Sequence, residues 1–316
     1  MSSKKIITVF GATGAQGGGL IRAILNDKNG GFAARAVTRD TTSVKAKQLA
    51  AMGAEVVSGD VDDPVSVEKA LDGAYGAYFV TFFWNHFSPE LETAQAKTFA
   101  DAAKKAGLKH AIWSTLEDVR EFVPLHDDAM PTLREKYKVP HFDGKGEADK
   151  FFIEAGVPTT FLYPSFYWDN FIYFGAGPKK DANGKLQLTL PIGDAKMGGI
   201  GSEDIGKCAY GIFKKGNELI GKKVGLAGEQ LTGKEMADAL TKSLGQPVTY
   251  NNVPAAVYRT FGFPGADDLG NMFQFYDDFE HHVNSLRDVD KSRELNPDLQ
   301  SFNDWLKVNA AKIPLD

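Results

Sequence analysis

Residues 6–19 read Ile-Ile-Thr-Val-Phe-Gly-Ala-Thr-Gly-Ala-Gln-Gly-Gly-Gly, and no other stretch of the chain restricts the fold as strongly. An apolar, β-branched run of this kind is the pattern of a buried parallel strand. It ends in glycines at 11, 14 and 17, and a helix-compatible segment, residues 20–25, follows at once. A strand, a tight turn and a helix N-terminus in close succession present backbone N–H groups and the positive end of the helix dipole to one point, where an anion is held well. Gly11 suits the turn, Gly14 the close approach of a pyrophosphate, and Gly17 the packing of helix on strand. The spacing therefore predicts a dinucleotide over Gly11, Ala12, Thr13, Gly14, Ala15, Gln16 and Gly17.

The rest of the first half repeats the strand–helix alternation. Strands are predicted over 33–38, 54–58, 75–81, 110–114 and 159–163, and helices over 44–52, 64–71, 90–106 and 144–155. On the third of these helix patterns, 90–106, Ala94, Phe99, Ala102, Ala103 and Ala106 form the expected apolar side. The pattern implies an α/β fold, a Rossmann-type doubly wound parallel sheet with right-handed crossovers. Beyond Pro164 segments shorten and aromatics crowd, which predicts a Rossmann domain over 1–164 and a smaller mixed α/β domain over 165–316, with some segments free to return to the sheet. Gly198-Gly199-Ile200-Gly201 reads as a turn before a helix. The stretch 116–140 is long and interrupted by prolines, and is the segment predicted to move.

With 316 residues, 43% hydrophobic and 24% charged, the chain can bury a large core. A net charge of −5 and no basic stripe argue against direct nucleic-acid binding. The apolar run after Lys4 and Lys5 is short for a signal segment, and no stretch has membrane-spanning length. Cys208 is the one cysteine, so no intrachain disulfide framework exists. A cytoplasmic location is expected, with the nucleus second. His126-Asp127-Asp128 are metal-ligand types at adjacent positions that rarely face one ion, and no metal site is predicted.

The second predicted strand ends Thr38-Arg39-Asp40, where the adenosine ribose of a dinucleotide would lie. The guanidinium of Arg39 can clasp a 2′-phosphate, which favours NADP(H), with Lys45 and Lys47 close behind; Asp40 points the other way. After the third strand, Asp60 could accept from the adenine amino group, with Val61 on the ring, or could cap a loop. Thr81, Phe82 and Phe83 follow the fourth strand on the carboxyl edge of the sheet, where ligands bind in open α/β folds.

These residues, together with His141-Phe142-Asp143-Gly144-Lys145-Gly146-Glu147, Pro191-Ile192-Gly193-Asp194 and Phe261-Gly262-Phe263-Pro264-Gly265-Ala266, resemble the NmrA-like branch of the atypical short-chain dehydrogenase/reductases. The resemblance runs through nearly the whole chain and is closest to a subgroup of NADP(H)-binding redox sensors. It implies a regulatory protein partner, a capacity to dimerise, and little dehydrogenase activity. It also implies that Lys145 holds the nicotinamide ribose and that Tyr167, Trp168, Asp169 and Asn170 lie beside the ring. One departure is Ala94, where the family pattern carries a lysine.

Active short-chain dehydrogenases place a tyrosine one helical turn before the lysine, as proton donor or acceptor, and a serine that polarises the carbonyl. This chain has His141 at the tyrosine position, keeps Lys145, and carries Ser114 at the end of the fifth strand. His141 can act as an acid or line a helix entry, and Lys145 alone can serve as acid or base. The residues thus leave two readings: a redox sensor, or an NADPH-dependent reductase of quinones or conjugated carbonyls using Lys145.

Overall fold

A computed structural model describes residues 4–315. The chain alternates β1 (Lys5–Val9), α1 (Ala15–Asn26), β2 (Phe32–Thr38), α2 (Val44–Ala51), β3 (Glu55–Ser58), α3 (Pro64–Ala70), β4 (Gly76–Phe79), α4 (Pro89–Ala106), β5 (His110–Ser114), α5 (Pro140–Glu154) and β6 (Thr159–Pro164). These six strands pair in parallel in the order β3-β2-β1-β4-β5-β6. The order reverses between β1 and β4, which is the doubly wound arrangement expected. The second half contributes β7 (Phe166–Tyr167), α6 (Asn170–Tyr173), β8 (Lys179–Lys180), β9 (Leu186–Thr189), β10 (Met197–Ile200), α7 (Ser202–Lys215) and β11 (Lys223–Leu226). It continues with β12 (Glu229–Leu231), α8 (Gly233–Leu244), β13 (Val248–Asn251), α9 (Ala255–Tyr258), α10 (Ala266–Asp278), α11 (Glu280–Leu286), α12 (Val289–Leu295) and α13 (Phe302–Asn309). β11 borders β6, while β12-β10-β7 and β13-β9-β8 form two small sheets. Among the described residues no helix is long and apolar enough to cross a membrane.

The chain divides into two compact units, but not by one cut at Pro164. Unit 1 holds the residues up to Glu117, Gly144–Tyr163 and Glu203–Val224; unit 2 holds Asp118–Asp143, Pro164–Ser202 and Gly225 onward. The return to unit 1 has a packing cause. A Cβ on Gly19 of α1 would lie 2.7 Å from the Glu203 carbonyl oxygen, and one on Gly206 of α7 would run into the Gly19–Leu20 backbone. Arg22 and Glu203 form an ion pair across the same contact. α7 also buries Cys208, and burial pushes that thiol up from its ordinary range. The unit 1 interior is a run of stacked or tilted rings, Phe10, Phe79, Phe99, Phe152 and Trp113.

In unit 2, Trp168, Phe171, Phe302 and Trp305 form the aromatic interior. Gly198 and Gly199 lie within β10, paired with β12 and β7, instead of the expected turn, and the Trp168 indole occupies the space a Cβ on Gly199 would take. The stretch 118–139 is tied down. Lys138, fully buried, donates from Nζ to the carbonyls of Asp127 (2.7 Å) and Met130 (2.6 Å). Asn271 donates to the carbonyls of Pro131 and Lys138. Asp143 accepts from the backbone N–H groups of Val119, Lys138 and Val139 at 2.7–3.1 Å.

The α1–α7 contact makes a stability prediction. Gly19→Ala is expected to lower the unfolding free energy by about 1–3 kcal/mol through overpacking against backbone. Gly18→Ala, whose Cβ meets nothing closer than 3.2 Å, should cost less. Urea denaturation of the two variants checks the order, and equal losses would contradict it.

Candidate functional site

In a doubly wound sheet the crevice opens at the carboxyl ends of the strands where the order reverses, here β1 and β4. Gly11 sits there with φ +66°, and a Cβ on it would lie 2.8 Å from Val80 Cγ1. A Cβ on Gly17 would lie 2.5 Å from the Gly11 carbonyl oxygen, so α1 starts directly against the loop. Gly14 is the N-cap of α1 and contributes no side-chain cap. The loop is thus a bare backbone cradle at a helix N-terminus, a shape that fits a phosphate. Gln16 turns inward: its Oε1 accepts from the Tyr78 hydroxyl and from Ser114 Oγ (2.9 Å). Ser114, expected to polarise a carbonyl, is buried in that bond.

At the end of β2, Arg39 is exposed. Asp40 is engaged locally, its carboxylate accepting from Thr42 N (2.8 Å) and Thr42 Oγ1 (2.6 Å), and these bonds hold it below the usual carboxylate range. Lys45 reaches back to the glycine loop, with Nζ 3.4 Å from the Thr13 carbonyl. After β3, Asp60 Oδ1 accepts from Asp62 N (3.2 Å), the loop-capping role, and Val61 is half-buried beside it. Gly59 has no room for a Cβ, which would lie 2.5 Å from Val37 Cγ1.

Past β4, Thr81 and Phe83 are buried, whereas Phe82 is 49% exposed. Phe83 packs edge-on with Trp84, His86 and Phe87. Ser88 caps α4, accepting from Leu91 N, and Pro89 opens the helix. The buried side of α4 includes Phe99, Ala102 and Ala103 as expected, but differs at both ends of that set. Ala94 and Ala106 are exposed, and Glu92 and Gln95 are buried with Ala96 and Phe99. Gly144 lets α5 come close, since a Cβ there would sit 3.1 Å from Pro89 Cα. One residue later, Lys145 Nζ lies 2.7 Å from Glu92 Oε1 and donates to Thr81 Oγ1 (2.7 Å), with the Trp113 ring 5.1 Å away. Thr81 in turn donates to Glu92 Oε1 (2.6 Å). Burial pushes the Glu92 carboxyl up, but Lys145, His86 and Thr81 outweigh it and hold the group at about 2. Glu92 escaped the sequence reading, although its spacing to Ala96 and Phe99 falls on the buried helical period.

α5 begins at Pro140, four residues earlier than expected, so His141 is in its first turn. A proline reads as a break, yet the first helical position needs no N–H donor. His141 is buried in unit 2, where its Nδ1 lies 2.5 Å from Asp268 Oδ1 and its backbone N–H donates to Asp268 Oδ2 (3.2 Å). The four residues expected beside the nicotinamide also belong to unit 2. Tyr167 is half-buried in β7, Trp168 is in the aromatic interior, Asp169 Oδ2 accepts from Ser202 N (2.8 Å), and Asn170 opens α6. Among the described residues no group of three or more His, Cys, Asp and Glu is placed to hold a metal.

A sequence profile described as the NmrA-like family matches residues 3–306. The NmrA-like family domain-containing oxidoreductase cpsB of Aspergillus campestris is 28% identical over 296 residues, covering 87% of this chain and 83% of its own. The crystal structure of NmrA, a negative transcriptional regulator, in complex with NADP superposes with a TM-score of 0.78 at 24% identity, over 97% of this chain and 95% of that one. The same regulator was also solved with NAD. Triphenylmethane reductase from Citrobacter sp., complexed with NADP(H), gives 0.74 at 21% identity, over 96% and 99%. These two likenesses establish the fold.

Behind Lys145 lies a buried carboxyl with a measurable signature. Asp149 accepts from Trp113 Nε1 (3.0 Å), Thr115 Oγ1 (2.6 Å) and Tyr163 OH (3.0 Å), and burial pushes it up to about 7. From its ordinary 3.8 up to about 7, the folded protein retains a proton that the unfolded chain has released, so stability falls as pH rises. Asp149→Asn should flatten that fall by on the order of 2 kcal/mol. Unfolding free energies measured across the window check this, and parallel curves for variant and wild type would refute it.

Proposed function

The chain belongs to the NmrA-like family, and from that premise we propose that it binds NADP(H) and acts as a redox sensor, regulating a partner protein through the state of the bound nucleotide. Support for the cofactor comes from the bare cradle at Gly11–Gly17 and from two cations around the adenosine end, Arg39 and Lys45, with Asp40 turned to Thr42. The triphenylmethane reductase complex with NADP(H) agrees with that choice, and the NmrA regulator was solved with NADP as well as with NAD. Bound NADPH can supply a hydride, and a reductase must also supply a placed proton.

What carries the sensor reading is the condition of the proton-transfer pair. His141 stands where the tyrosine would be and is shorter, and its ring is engaged by Asp268. Lys145 is closed in a buried ion pair with Glu92 and a hydrogen bond to Thr81. A donor misplaced by about an ångström loses much of its advantage. The glycine cradle is free of side chains, whereas the acid–base residues are engaged by Asp268, Glu92 and Thr81. Sensing further requires that the two nucleotide forms favour different states of the protein or of its complex with a partner.

The second reading, reduction of quinones or conjugated carbonyls with NADPH, is favoured by Phe82, a half-exposed aromatic next to Thr81 that could stack on a flat acceptor. The oxidoreductase names of the fungal relatives point the same way. Turnover of NADPH against a quinone panel separates the two, using wild type, Lys145→Ala and His141→Tyr. Turnover near background in the wild type is expected, with a gain in His141→Tyr if the pocket accepts the ring. Robust wild-type turnover abolished by Lys145→Ala would replace the sensor with the reductase.

Titration with NADPH, NADP, NADH and NAD should show tighter binding of the phosphorylated forms. Arg39→Ala should cut that preference roughly tenfold, the loss of one charge-assisted phosphate contact. Comparable affinities of the wild type for NADPH and NADH would sink the assignment.

A further inference from the structure

Glu92 is a carboxylate with no exposure, a costly thing to bury unless opposite charge and hydrogen bonds surround it. Lys145 Nζ stands 2.7 Å from its Oε1, and the Thr81 hydroxyl donates to the same oxygen. Its Oε2 faces His86 Nε2 at 3.4 Å. His86 Nδ1 accepts from Ser88 N (3.0 Å), which turns the other ring nitrogen, Nε2, towards Glu92. The Lys145 ammonium and the Glu92 carboxylate therefore offset one another, one charge against one, with the Thr81 hydroxyl as a further donor.

Its place in the sheet gives this neutrality a consequence. A dinucleotide crosses the crevice at the reversal of strand order, one nucleotide on each side. Arg39 and Asp60 follow β2 and β3 on one side of β1, and Thr81 follows β4 on the other, beside Gly11, whose Cβ position abuts Val80. The nicotinamide half thus falls on the side that holds Thr81, Glu92 and Lys145. Oxidised and reduced nicotinamide differ by one positive charge on the ring. A lone lysine there would repel the oxidised ring and leave the reduced one untouched.

We propose that Glu92 is the residue that sets the relative affinity for oxidised and reduced dinucleotide, by cancelling the charge of Lys145 where the nicotinamide is held. The inference rests on the NADP(H) reading above and adds to it the element that would tune a sensor. Glu92 acts through Lys145 and is a positioning and charge-balancing residue, not a catalytic one. In Glu92→Gln, the ammonium still has the Thr81 carbonyl and hydroxyl and the Trp113 ring around it, so the site gains one positive charge.

The test is a pair of dissociation constants, for NADP and for NADPH, measured by calorimetry on each variant. Glu92→Gln should raise the ratio of the NADP constant to the NADPH constant roughly tenfold, the scale of one charge at short range in protein. Lys145→Met, which leaves the carboxylate, should lower it. The double variant should return it towards the wild-type value, whatever happens to the absolute affinities. A merely structural role for Glu92 would weaken both nucleotides together, and an unchanged ratio in both single variants overturns the proposal. If Glu92→Gln does not fold, the Lys145→Met ratio decides, and a ratio that does not fall overturns it. Failure of the wild type to bind either nucleotide refutes the NADP(H) reading itself, a result distinct from an unchanged ratio.

Discussion

Where α1 leaves the end of β1, backbone has to touch backbone. Side chains at 11 or 17 would strike Val80 or the Gly11 carbonyl, and one at 19 would strike the Glu203 carbonyl. Glycine satisfies all three, and much of unit 1 follows from that closeness. α1 begins with its N–H groups at the mouth of the crevice. Gln16, in its first turn, is brought within reach of both β4 and β5, which it links through Tyr78 and Ser114. On the other face, α7 can settle against α1 with Gly206 opposite Gly19, which draws residues 203–224 back to the sheet and sets β11 beside β6.

A second close approach organises the chemistry. Gly144 lets α5 meet the start of α4 at Pro89, and this brings the Lys145 ammonium to a carboxylate that has no access to water. Removing either partner takes away the opposite charge and leaves the other to its polar neighbours, so the two residues can only be understood together. On the unit 2 side of the helix start, Asp143 serves as an internal cap, collecting three backbone donors from 119, 138 and 139. The segment that sequence alone marks as a long irregular loop is thereby anchored at both ends by one side chain.

The sheet was legible because buried parallel strands are continuous apolar runs, and six of them lie where the pattern puts them, to within a few residues. What could not be read depends on distant partners. Glu92 looks like an exposed helix charge until Lys145, far along the chain, is placed beside it. His141 looks like a candidate acid until Asp268 is found on it. A single cut at Pro164 does not describe the two units: the return of 203–224 to unit 1 fits the expectation that some segments rejoin the sheet, whereas nothing local tells residues 118–143 which core they will join. At the candidate site the glycine loop and Arg39 were visible as motifs, whereas the network that governs Lys145 was not.

Cys208 has a consequence beyond packing. It is the chain's only thiol, it has no exposed surface, and burial raises it out of the range where a thiolate forms. Peroxides, glutathione and disulfide exchange act on accessible thiolates, so none of them has a cysteine here to modify. A protein sealed in this way is deaf to thiol oxidation. If it reports the oxidation state of its surroundings, that information does not arrive through a cysteine of this chain, and a nucleotide that exchanges within the lifetime of its complex would carry it without using one.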